Sequence, residues 1–510
     1  MENNYFQSKI MRLFKQSLVV CLFFACFFSC QEESKIEVEE ESKSEYAKFV
    51  DAMSAEGIAT GNILVYEKGE VVFKSSNGLR SINPIDSLDL NSQFRLASVS
   101  KQFTGMAIMK LKEAGKLEYD QKVNTILTDF PYDNITIRQL LHHVSGLTDY
   151  ERIIVENFIK EDTTKQYILG NDEILKEFYR VDPELDFNPG EKWEYSNTGY
   201  LVLASIVEKV SGQHFRDFLK EQITDPIGMT HTVLYKYQMN ADSKMPNRVF
   251  GYRKALNQTD LISNDYDIVN DVRGDGGIYS TLDDLYKWNM ALAKHTIIPK
   301  SYLDEAWESG QTNDGAFTGY GFGWFLEYNP GEPRIINHSG GWVGFVTFLQ
   351  NEVDAQSGFI ILTNNSGEHF ESIYDNIERL KAGESYQMPR TSIYKEMAKR
   401  IYDKDVNEAI TFYKSVKTDT INYAVSESDI NQLGYLLINE DKVDAATQIF
   451  KLNRDEHPKS ANVYDSYGDA LLMQGDSIQA LENFKKCFEM DDSLMYAKDK
   501  SEALETALKN

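Results

Sequence analysis

Cysteine is scarce in this chain of 510 residues, and its positions exclude a disulfide scaffold. Cys21, Cys26 and Cys30 lie within or directly after a short apolar run near the N-terminus, and only Cys487 lies elsewhere. If that run is a targeting segment that is removed, no intrachain disulfide can form in the mature protein. Stability must then come from apolar cores, for which the 42% hydrophobic content is sufficient.

Several other features are missing, and each absence removes a class of function. No basic run follows the N-terminal segment and the net charge is −26, which argues against a nucleic-acid partner. His-Glu-x-x-His and Gly-x-Ser-x-Gly are absent, so neither a zinc peptidase nor an α/β-hydrolase is indicated. The glycine-rich stretch Gly274–Gly277 lacks the Lys-Ser/Thr of a phosphate loop. We therefore predict neither a metal nor a cofactor.

The N-terminus has the pattern of a targeting segment. An apolar stretch from Leu18 to Phe28 follows three basic residues and is too short for a confident membrane span. It ends at Cys30 in a sequence that resembles a bacterial lipoprotein box. We predict a signal peptide over 1–29, lipidation of Cys30, an acidic linker over 30–44 and a lipid-anchored protein of the bacterial cell envelope, periplasm-facing or on the outer surface. A plain secretory signal and a short N-terminal anchor are the alternatives.

Residues 45–385 combine strand patterns at both ends with helical patterns between them. This distribution predicts one α+β domain whose sheet is assembled from distant chain segments. The expected elements are a helix over 45–57, a hairpin over 61–74, helices from 98 to about 300, strands over 342–350 and 358–364, and a helix over 369–382.

From residue 391 to 510 the sequence is helical and repeats with a period of 34 residues. The paired positions are Gly434 and Gly468, Ala446 and Ala480, Phe450 and Phe484, Leu433 and Tyr467, and Ile438 and Leu472. This period resembles a tetratricopeptide array over 428–494, which would present a concave surface to a protein or peptide partner. A helical extension packed on the preceding domain, or used in self-association, is the alternative.

Ser98-Val99-Ser100-Lys101 is the first candidate for chemistry. It precedes a helical run that begins at Gln102, and residues three apart lie on one face of a helix. Ser98 would therefore lie beside the Lys101 amine at a helix N-terminus, where a hydroxyl can become nucleophilic. A helix N-cap is the structural alternative for the same serine.

Two further segments could complete an active site. Tyr195-Ser196-Asn197 is predicted on a loop next to a helix start, where side chains can project into a cleft. His338-Ser339-Gly340-Gly341 is predicted as a glycine-rich turn that leads into the strand at 342–350.

These three segments, in this order, resemble the motifs of the serine β-lactamase and penicillin-binding-protein superfamily, in particular its class C-like serine hydrolase branch. The resemblance spans about 45–385 and implies a β-lactamase/transpeptidase-like fold, with an antiparallel sheet flanked by helices and a mainly helical subdomain. Three other segments agree with it: His143-Val144-Ser145-Gly146-Leu147, Gly274-Asp275-Gly276-Gly277-Ile278-Tyr279-Ser280-Thr281 and Tyr320-Gly321-Phe322-Gly323-Trp324.

The resemblance also implies roles for the residues. Ser98 would attack a carbonyl and form an acyl-enzyme, Lys101 would share or take its proton, and Tyr195 would relay protons to the leaving group and from water. The backbone N–H groups of Ser98 and Gly341 would form the oxyanion hole. Asn197 would hydrogen-bond a substrate amide.

His338 stands where the superfamily most often has the lysine of Lys-Thr-Gly. Histidine is shorter than lysine and ordinarily titrates near ~6.5, so recognition of a substrate carboxylate should be weaker. We therefore predict an esterase or an amidase/peptidase-like hydrolase of small substrates with weak β-lactamase activity. D-aminopeptidase and DD-peptidase activities remain open, as does a non-catalytic penicillin-binding-like scaffold that binds a partner through its repeats.

Overall fold

A computed structural model of the chain describes residues 43–157, 168–236, 245–327 and 334–509. The predicted signal peptide 1–29, the predicted lipid acceptor Cys30 and the linker up to residue 42 lie outside these residues. None of the helices in the described ranges is long and apolar enough to cross a bilayer.

The strands, numbered along the chain, are β1 Gly61–Glu67, β2 Glu70–Asn77, β3 Leu79–Ile82, β4 Ile85–Ser87, β5 Phe94–Arg95, β6 Val233–Leu234, β7 Tyr252–Lys254, β8 Leu261–Ser263, β9 Ile278–Ser280, β10 Phe325–Glu327, β11 Ile335–Trp342, β12 Phe345–Glu352, β13 Ser357–Thr363, β14 Thr391–Ser392 and β15 Tyr423–Ala424.

The α-helices are α1 Glu45–Ala55, α2 Lys101–Glu113, α3 Ile137–Leu141, α4 Tyr150–Asn157, α5 Asn171–Val181, α6 Asn197–Ser211, α7 Phe215–Leu219, α8 Leu282–Ala293, α9 Lys300–Ala306, α10 Phe370–Lys381, α11 Ile393–Asp403, α12 Val406–Val416, α13 Glu427–Asn439, α14 Val443–Glu456, α15 Asn462–Met473, α16 Ser477–Met490 and α17 Met495–Lys509.

An antiparallel sheet of six strands, in the order β10-β11-β12-β13-β1-β2, joins the two ends of the α+β region. In its centre, β1 pairs with β13, with Ile63 opposite Ile361. Side chains alternate between the two faces, as the two-residue period of a strand requires. Ile63 belongs to an apolar cluster with α1 and α10, whereas Leu64 belongs to the large core that includes α2. Both faces of the sheet are therefore covered by helices, and the predicted α+β fold is confirmed.

The strand that carries His338 differs from the prediction. Residues 335–342 form β11 itself, and the turn comes later, at Val343 and Gly344, where Val343 has a φ of 43°. The expectation of a glycine-rich turn at 338–341 was wrong, because Gly340 is needed for a close approach within a strand. A Cβ on Gly340 would lie 2.2 Å from the Leu96 carbonyl oxygen.

The C-terminal region is a series of helix pairs built around an apolar core of its own. The same contact recurs 34 residues apart: Gly434 lies against the ring of Phe450, and Gly468 against the ring of Phe484. The region also contains one short strand pair, since β14 and β15 form a two-residue parallel pair. Among the described residues, Cys487 is a free cysteine and is buried.

Leu256 and Glu368 join this helical region to the α+β region. Leu256, in the loop between β7 and β8, is buried in the apolar cluster of the C-terminal helices. The Glu368 carboxylate accepts hydrogen bonds from Lys254 at 3.1 Å and from Lys395 at 2.8 Å. These lysines come from the two different regions, so Glu368 links them.

Candidate active site

Ser98 lies in a single 3-10 turn, Ala97–Ser100, between β5 and α2, which we call the serine turn. Ala97 has a φ of 47°, which is a left-handed conformation that a residue with a Cβ seldom adopts. Strained backbone of this kind costs of order 1–3 kcal/mol and often occurs at functional sites. The cap interpretation of Ser98 was wrong, because no side chain caps this turn or the start of α2.

The Lys101 side chain is completely buried beside Ser98. Its Nζ donates hydrogen bonds to Ser98 Oγ at 3.3 Å, to Asn197 Oδ1 at 2.8 Å and to the Asp275 carbonyl oxygen at 3.0 Å. All three acceptors are neutral groups. The amine is therefore fixed against the serine hydroxyl without a direct carboxylate contact.

Asn197 begins helix α6, and Ser196 caps that helix by accepting a hydrogen bond from the Gly199 N–H at 3.1 Å. Because an ammonium group can only donate, Lys101 requires the oxygen of the Asn197 amide. Asn197 lines the cavity beside Ser98. Its amide nitrogen is then the group available to a substrate carbonyl.

The Tyr195 ring also lies beside Lys101. Lys101 Nζ is 4.8 Å from the centre of the Tyr195 ring, within the range of a cation–π contact. The ring packs against His143 in a tilted arrangement, with the ring centres 4.4 Å apart, and His143 Nδ1 accepts a hydrogen bond from the Ser196 N–H at 3.0 Å. The Tyr195 hydroxyl oxygen is buried and has no hydrogen-bond partner among the described residues. His143 thus positions the loop and leaves the hydroxyl uncommitted.

A cavity of about 100 Å³ opens beside Ser98. Strand β11 forms one wall, and its backbone approaches the serine turn so closely that a Cβ on Gly340 would lie 3.1 Å from the Ser98 nitrogen. Gly341, one residue further, lines the cavity and has open space around it. The structure therefore brings Ser98, Gly341 and Asn197 to one cavity.

The sequence predicts that His338 titrates near neutral pH, and the surroundings of its side chain differ from that expectation. It is buried, and it does not line the cavity. Its Nδ1–H donates to the Ser339 carbonyl oxygen, and its Nε2 accepts from the Tyr320 hydroxyl at 2.9 Å. Burial, with a smaller contribution from the charge of Lys101, lowers the pKa of His338 to about 3. The imidazole is therefore neutral at ordinary pH.

The cavity wall also carries acidic groups, of which only Asp275 belongs to a segment that the sequence analysis singled out. The Tyr150 hydroxyl donates to Asp275 Oδ2 at 2.8 Å, and both residues line the cavity together with Glu151. Burial, and then the negative charges of Asp149 and Asp275, raise the pKa of Glu151 to about 7. Burial also raises the pKa of Asp149.

Arg95 is the cation of this cavity. It is 3% exposed, its Nη1 donates to Asn270 Oδ1 at 3.0 Å, and its guanidinium lies 5.3 Å from the centre of the Trp342 ring. The Trp342 indole N–H donates to the same Asn270 oxygen at 2.8 Å. Asn270 thus links the end of β5, just before the serine turn, to the end of β11. Among the described residues, no cluster of three or more His, Cys, Asp or Glu side chains could hold a metal ion.

Comparison with known proteins gives this arrangement a family. The model of the family described as beta-lactamase matches residues 46–384, about two thirds of the sequence. The chain belongs to the beta-lactamase family. The members of this family to which the chain is related are serine hydrolases, and the candidate nucleophile and its lysine lie within the matched range.

Individual relatives agree with this assignment. Penicillin-binding protein 4* of Bacillus subtilis (strain 168) is 34% identical over 338 residues, which cover 64% of this chain and 74% of that protein. The structure of the penicillin-binding protein homologue from Pyrococcus abyssi is 25% identical with a TM-score of 0.57, over 67% of this chain and 77% of that chain. The D-amino acid amidase from Ochrobactrum anthropi SV3 is 20% identical with a TM-score of 0.54, over 66% and 96% of the two chains, and this likeness shows the fold alone.

Proposed function

We propose that this beta-lactamase family member is an active serine hydrolase that forms an acyl-enzyme on Ser98. The observation that carries the proposal is the contact between Lys101 Nζ and Ser98 Oγ, with the amine also held by Asn197 and the Asp275 carbonyl. A buried amine beside a serine at a cavity is an arrangement that activates the hydroxyl. Retention of these groups favours turnover over the alternative of a non-catalytic scaffold.

At the start of acylation the Lys101–Tyr195 pair lacks one proton, as a neutral amine beside the phenol or an ammonium beside the phenolate. Ser98 Oγ attacks the substrate carbonyl, and its proton passes to the deprotonated member of that pair. The bond from the carbonyl carbon to the leaving oxygen or nitrogen then breaks, and the leaving group takes up a proton from Tyr195. The buried, unpartnered Tyr195 hydroxyl supports this role, because no structural hydrogen bond has to be broken to free it.

The developing oxyanion is stabilised by the backbone N–H groups of Ser98 and Gly341. Donors of this kind are commonly worth about 3 kcal/mol in the transition state. Asn197 orients the substrate through its amide nitrogen. Water then attacks the acyl-enzyme carbonyl, with Tyr195 as base. The bond from the carbonyl carbon to Ser98 Oγ breaks, Tyr195 passes the proton to Ser98, and the acid product leaves.

The substrates are small esters and amides without a carboxylate close to the scissile bond, and β-lactams are hydrolysed slowly. His338 supports this preference. It is neutral and hydrogen-bonded away from the cavity, so β11 offers no cation at the position where the superfamily most often has lysine. Pocket walls rather than motifs set specificity, so peptidase activities belong to the same proposal.

A hydrolysis panel tests the proposal. Purified protein is assayed with p-nitrophenyl acetate, an amino-acid p-nitroanilide and nitrocefin, with Ser98→Ala as the control. We expect turnover of the ester, slow turnover of nitrocefin and loss of all activity in Ser98→Ala. An unchanged rate in Ser98→Ala would place the nucleophile elsewhere, and inertness of the wild-type protein towards every substrate would favour the scaffold.

The remaining segments complete the proposal. The class C-like branch is favoured by the order of the motifs. The helices of 391–510 act as tetratricopeptide-like repeats that bind a protein or peptide, which the recurring Gly–Phe contacts support.

Cys30 carries a lipid that anchors the protein to the cell envelope. Cys30→Ser should then move the protein from the membrane fraction to the soluble fraction, whereas a retained membrane association would contradict lipidation.

A further inference from the structure

The turn at the end of β11 is clamped by two neighbouring loops. Val343 and Gly344 form this turn between β11 and β12, and we call it the β11 turn. The Gly344 N–H donates to the Asn264 carbonyl oxygen at 2.8 Å, and the Gly344 carbonyl oxygen accepts from the Ser366 N–H at 2.7 Å. Asn264 directly follows the β7–β8 hairpin, and Ser366 lies in the loop after β13. Both backbone groups of Gly344 are therefore fixed by segments outside β11 and β12.

The β11 turn has no room to move relative to the hairpin. A Cβ on Gly344 would lie 2.6 Å from the Asn264 oxygen and 2.6 Å from Gly251 Cα, just before β7. Close packing of this kind transmits a displacement instead of absorbing it, because protein interiors have low compressibility. A shift of the hairpin must therefore shift the β11 turn.

The same two loops carry contacts to the C-terminal helices. Leu256, in the hairpin, is buried in the apolar core of those helices. Glu368, two residues after Ser366, accepts a hydrogen bond from Lys395 of α11 at 2.8 Å. We call these two interactions the junction contacts. The segments that clamp the β11 turn are thus segments that the C-terminal helices hold.

The strand that ends at the β11 turn forms a wall of the Ser98 cavity. Gly341 and Trp342 line that cavity and directly precede the turn. The Gly341 N–H is a proposed oxyanion donor, and such a donor is effective at about 2.7–3.1 Å from the oxyanion. A displacement of about 1 Å at an active site can cost about 100-fold in rate. The position of the β11 turn therefore matters for catalysis.

A second connection runs from the hairpin to the same cavity. Asp265, just after the hairpin, accepts a hydrogen bond from the Gly251 N–H at 2.9 Å. The Asp265 carbonyl oxygen accepts from Asn270 Nδ2 at 3.1 Å, and the Asn270 side-chain oxygen accepts from the Trp342 indole N–H at 2.8 Å. The base of the hairpin thus supports the end of β11 through side chains as well as through the backbone.

We propose that the C-terminal helices position the oxyanion site through the junction contacts, so that they belong to the catalytic apparatus and are not only a binding module. This inference rests on the proposed serine hydrolase function. Leu256 and Lys395 are the positioning residues, and they act on Gly341 through the hairpin, the loop after β13 and the β11 turn. A partner that binds to the helices and displaces α11 would then change the rate at Ser98.

Two lysines of α11 provide a matched pair of variants. Lys395 reaches across to Glu368, whereas Lys399 pairs with Asp403 within the helix. Glu368 keeps Lys254 as a partner in Lys395→Met, so only the link to α11 is lost. We expect Lys395→Met to lower kcat/KM for p-nitrophenyl acetate about three- to tenfold, a fraction of the roughly 100-fold cost of removing an oxyanion donor. Lys399→Met makes the same change in charge and should keep wild-type kinetics.

A sulfur substrate separates positioning from folding. In the thionoester analogue of p-nitrophenyl acetate, sulfur replaces the carbonyl oxygen and is a weaker hydrogen-bond acceptor. The ratio of the ester rate to the thionoester rate therefore reports on the oxyanion donors. We expect this ratio to be lower in Lys395→Met than in wild type and unchanged in Lys399→Met. A mere loss of folded protein would lower both rates equally and leave the ratio unchanged.

Leu256→Ala tests the apolar junction contact with the same two readouts. We expect kcat/KM and the ester-to-thionoester ratio to fall as in Lys395→Met, and Leu256→Met, which conserves the buried volume, should restore both. Leu471→Ala is the control, because it removes a buried leucine side chain from the same helical core on α15 rather than near the hairpin in the chain. Circular dichroism at the assay temperature checks folding, and Lys395→Met decides if Leu256→Ala does not fold.

The outcomes are distinguishable. An unchanged kcat/KM and an unchanged ester-to-thionoester ratio in Lys395→Met would overturn the inference while leaving the hydrolase intact. An equal fall in Lys399→Met would trace the effect to the charge of α11, and an equal fall in Leu471→Ala would trace it to core stability, and either result would also overturn the inference. Absence of any Ser98-dependent hydrolysis in the wild-type protein would instead overturn the proposed function.

Discussion

The rings of Tyr195 and Tyr200 lie close to the same lysine, but their hydroxyls have different surroundings. Lys101 Nζ is 4.8 Å from the centre of the first ring and 5.6 Å from that of the second. The Tyr200 hydroxyl donates to the Leu141 carbonyl oxygen at 3.0 Å, whereas the Tyr195 hydroxyl has no partner among the described residues. At the residue scale, one hydroxyl is structural and the other is available for chemistry.

Removal of the Tyr195 hydroxyl should lower activity and leave stability unchanged, whereas removal of the Tyr200 hydroxyl should mainly lower stability. Tyr195→Phe loses no hydrogen bond, so we expect a free energy of unfolding within about 0.5 kcal/mol of wild type. Its kcat/KM for p-nitrophenyl acetate should fall by about 100-fold or more, because the proton relay is lost. Tyr200→Phe should lose about 1 kcal/mol of stability and much less activity. Steady-state kinetics and urea unfolding check both, and full activity of Tyr195→Phe would contradict the relay.

His338 should stay neutral where an ordinary histidine titrates. Because burial lowers its pKa to about 3, its imidazole signals in NMR spectra of ¹⁵N-histidine-labelled protein should not shift between pH 5 and 8. The missing signal in His338→Gln assigns the resonance. A midpoint near 6.5 would show that the imidazole is accessible to water.

The residues of the site could be predicted from the sequence only in part. Ser98, Lys101, Tyr195 and Asn197 belong to short motifs, and the structure places the other three around Lys101. Glu151 and Arg95 belong to no motif, since their relevance comes from the cavity that they line. The neutral state of His338 could not be predicted either, because it depends on burial by residues far away in the sequence.

At the scale of elements, β11 is the strand that fixes the geometry of the serine turn. The Thr347 hydroxyl of the neighbouring β12 donates to the Leu96 carbonyl oxygen at 2.8 Å, and Gly340 lies against that same oxygen. The two strands therefore hold the backbone just before Ser98.

Adjacent glycines of β11 provide a matched pair of variants. Gly340→Ala places a Cβ 2.2 Å from the Leu96 oxygen and 2.5 Å from Thr347 Oγ1, so the strand or the turn must shift. We expect a loss of about 1–3 kcal/mol, typical of overpacking. Gly341→Ala meets nothing within 4 Å and should fold with an unchanged melting temperature. Differential scanning calorimetry checks the pair, and equal melting temperatures would contradict the close approach of β11.

Elements with strong local patterns were predicted well, and those set by long-range contacts were not. The β1–β2 hairpin and helix α10 agree with the expected segments because their apolar periods are clear. Gly340 and Gly341 suggest a turn locally, so the sequence predicts a turn where the structure has strand β11. The need for glycine there arises from Leu96, more than 200 residues earlier in the chain, and a local pattern cannot show it.

At the scale of the whole molecule, the α+β region and the C-terminal helices share a junction. The hairpin of β7 and β8 contributes Leu256, which is 7% exposed, to the helical core. Glu368 lies between Lys254 and Lys395 in the same junction, and these lysines lower the pKa of its carboxyl against the effect of burial.

Leu256→Ala should therefore weaken the coupling of the two regions. Loss of a buried leucine side chain costs about 2–5 kcal/mol. Ile262→Ala on the same hairpin is the control, because Ile262 is 39% exposed and its loss should change stability by less than about 0.5 kcal/mol. Urea unfolding followed by circular dichroism measures both. Equal stabilities of the two variants would show that Leu256 is not part of the helical core.

The large-scale organisation could be predicted because it follows from repeated patterns. The 34-residue period predicted the helix pairs, and the structure places Gly434 and Gly468 in equivalent contacts. The junction at Leu256 could not be predicted, because a single apolar residue in a polar hairpin carries no periodic signal. Its partner surface exists only after the helices pack.

The central claim is that Ser98 is an activated nucleophile, and covalent labelling tests it most directly. The protein is treated with a fluorophosphonate, digested and mapped by mass spectrometry, with Ser98→Ala and Lys101→Met treated in parallel. We predict one adduct, on the peptide that contains Ser98, with no label in Ser98→Ala and much slower labelling in Lys101→Met. Labelling of another serine, or equal labelling of the Ser98→Ala variant, would contradict the account.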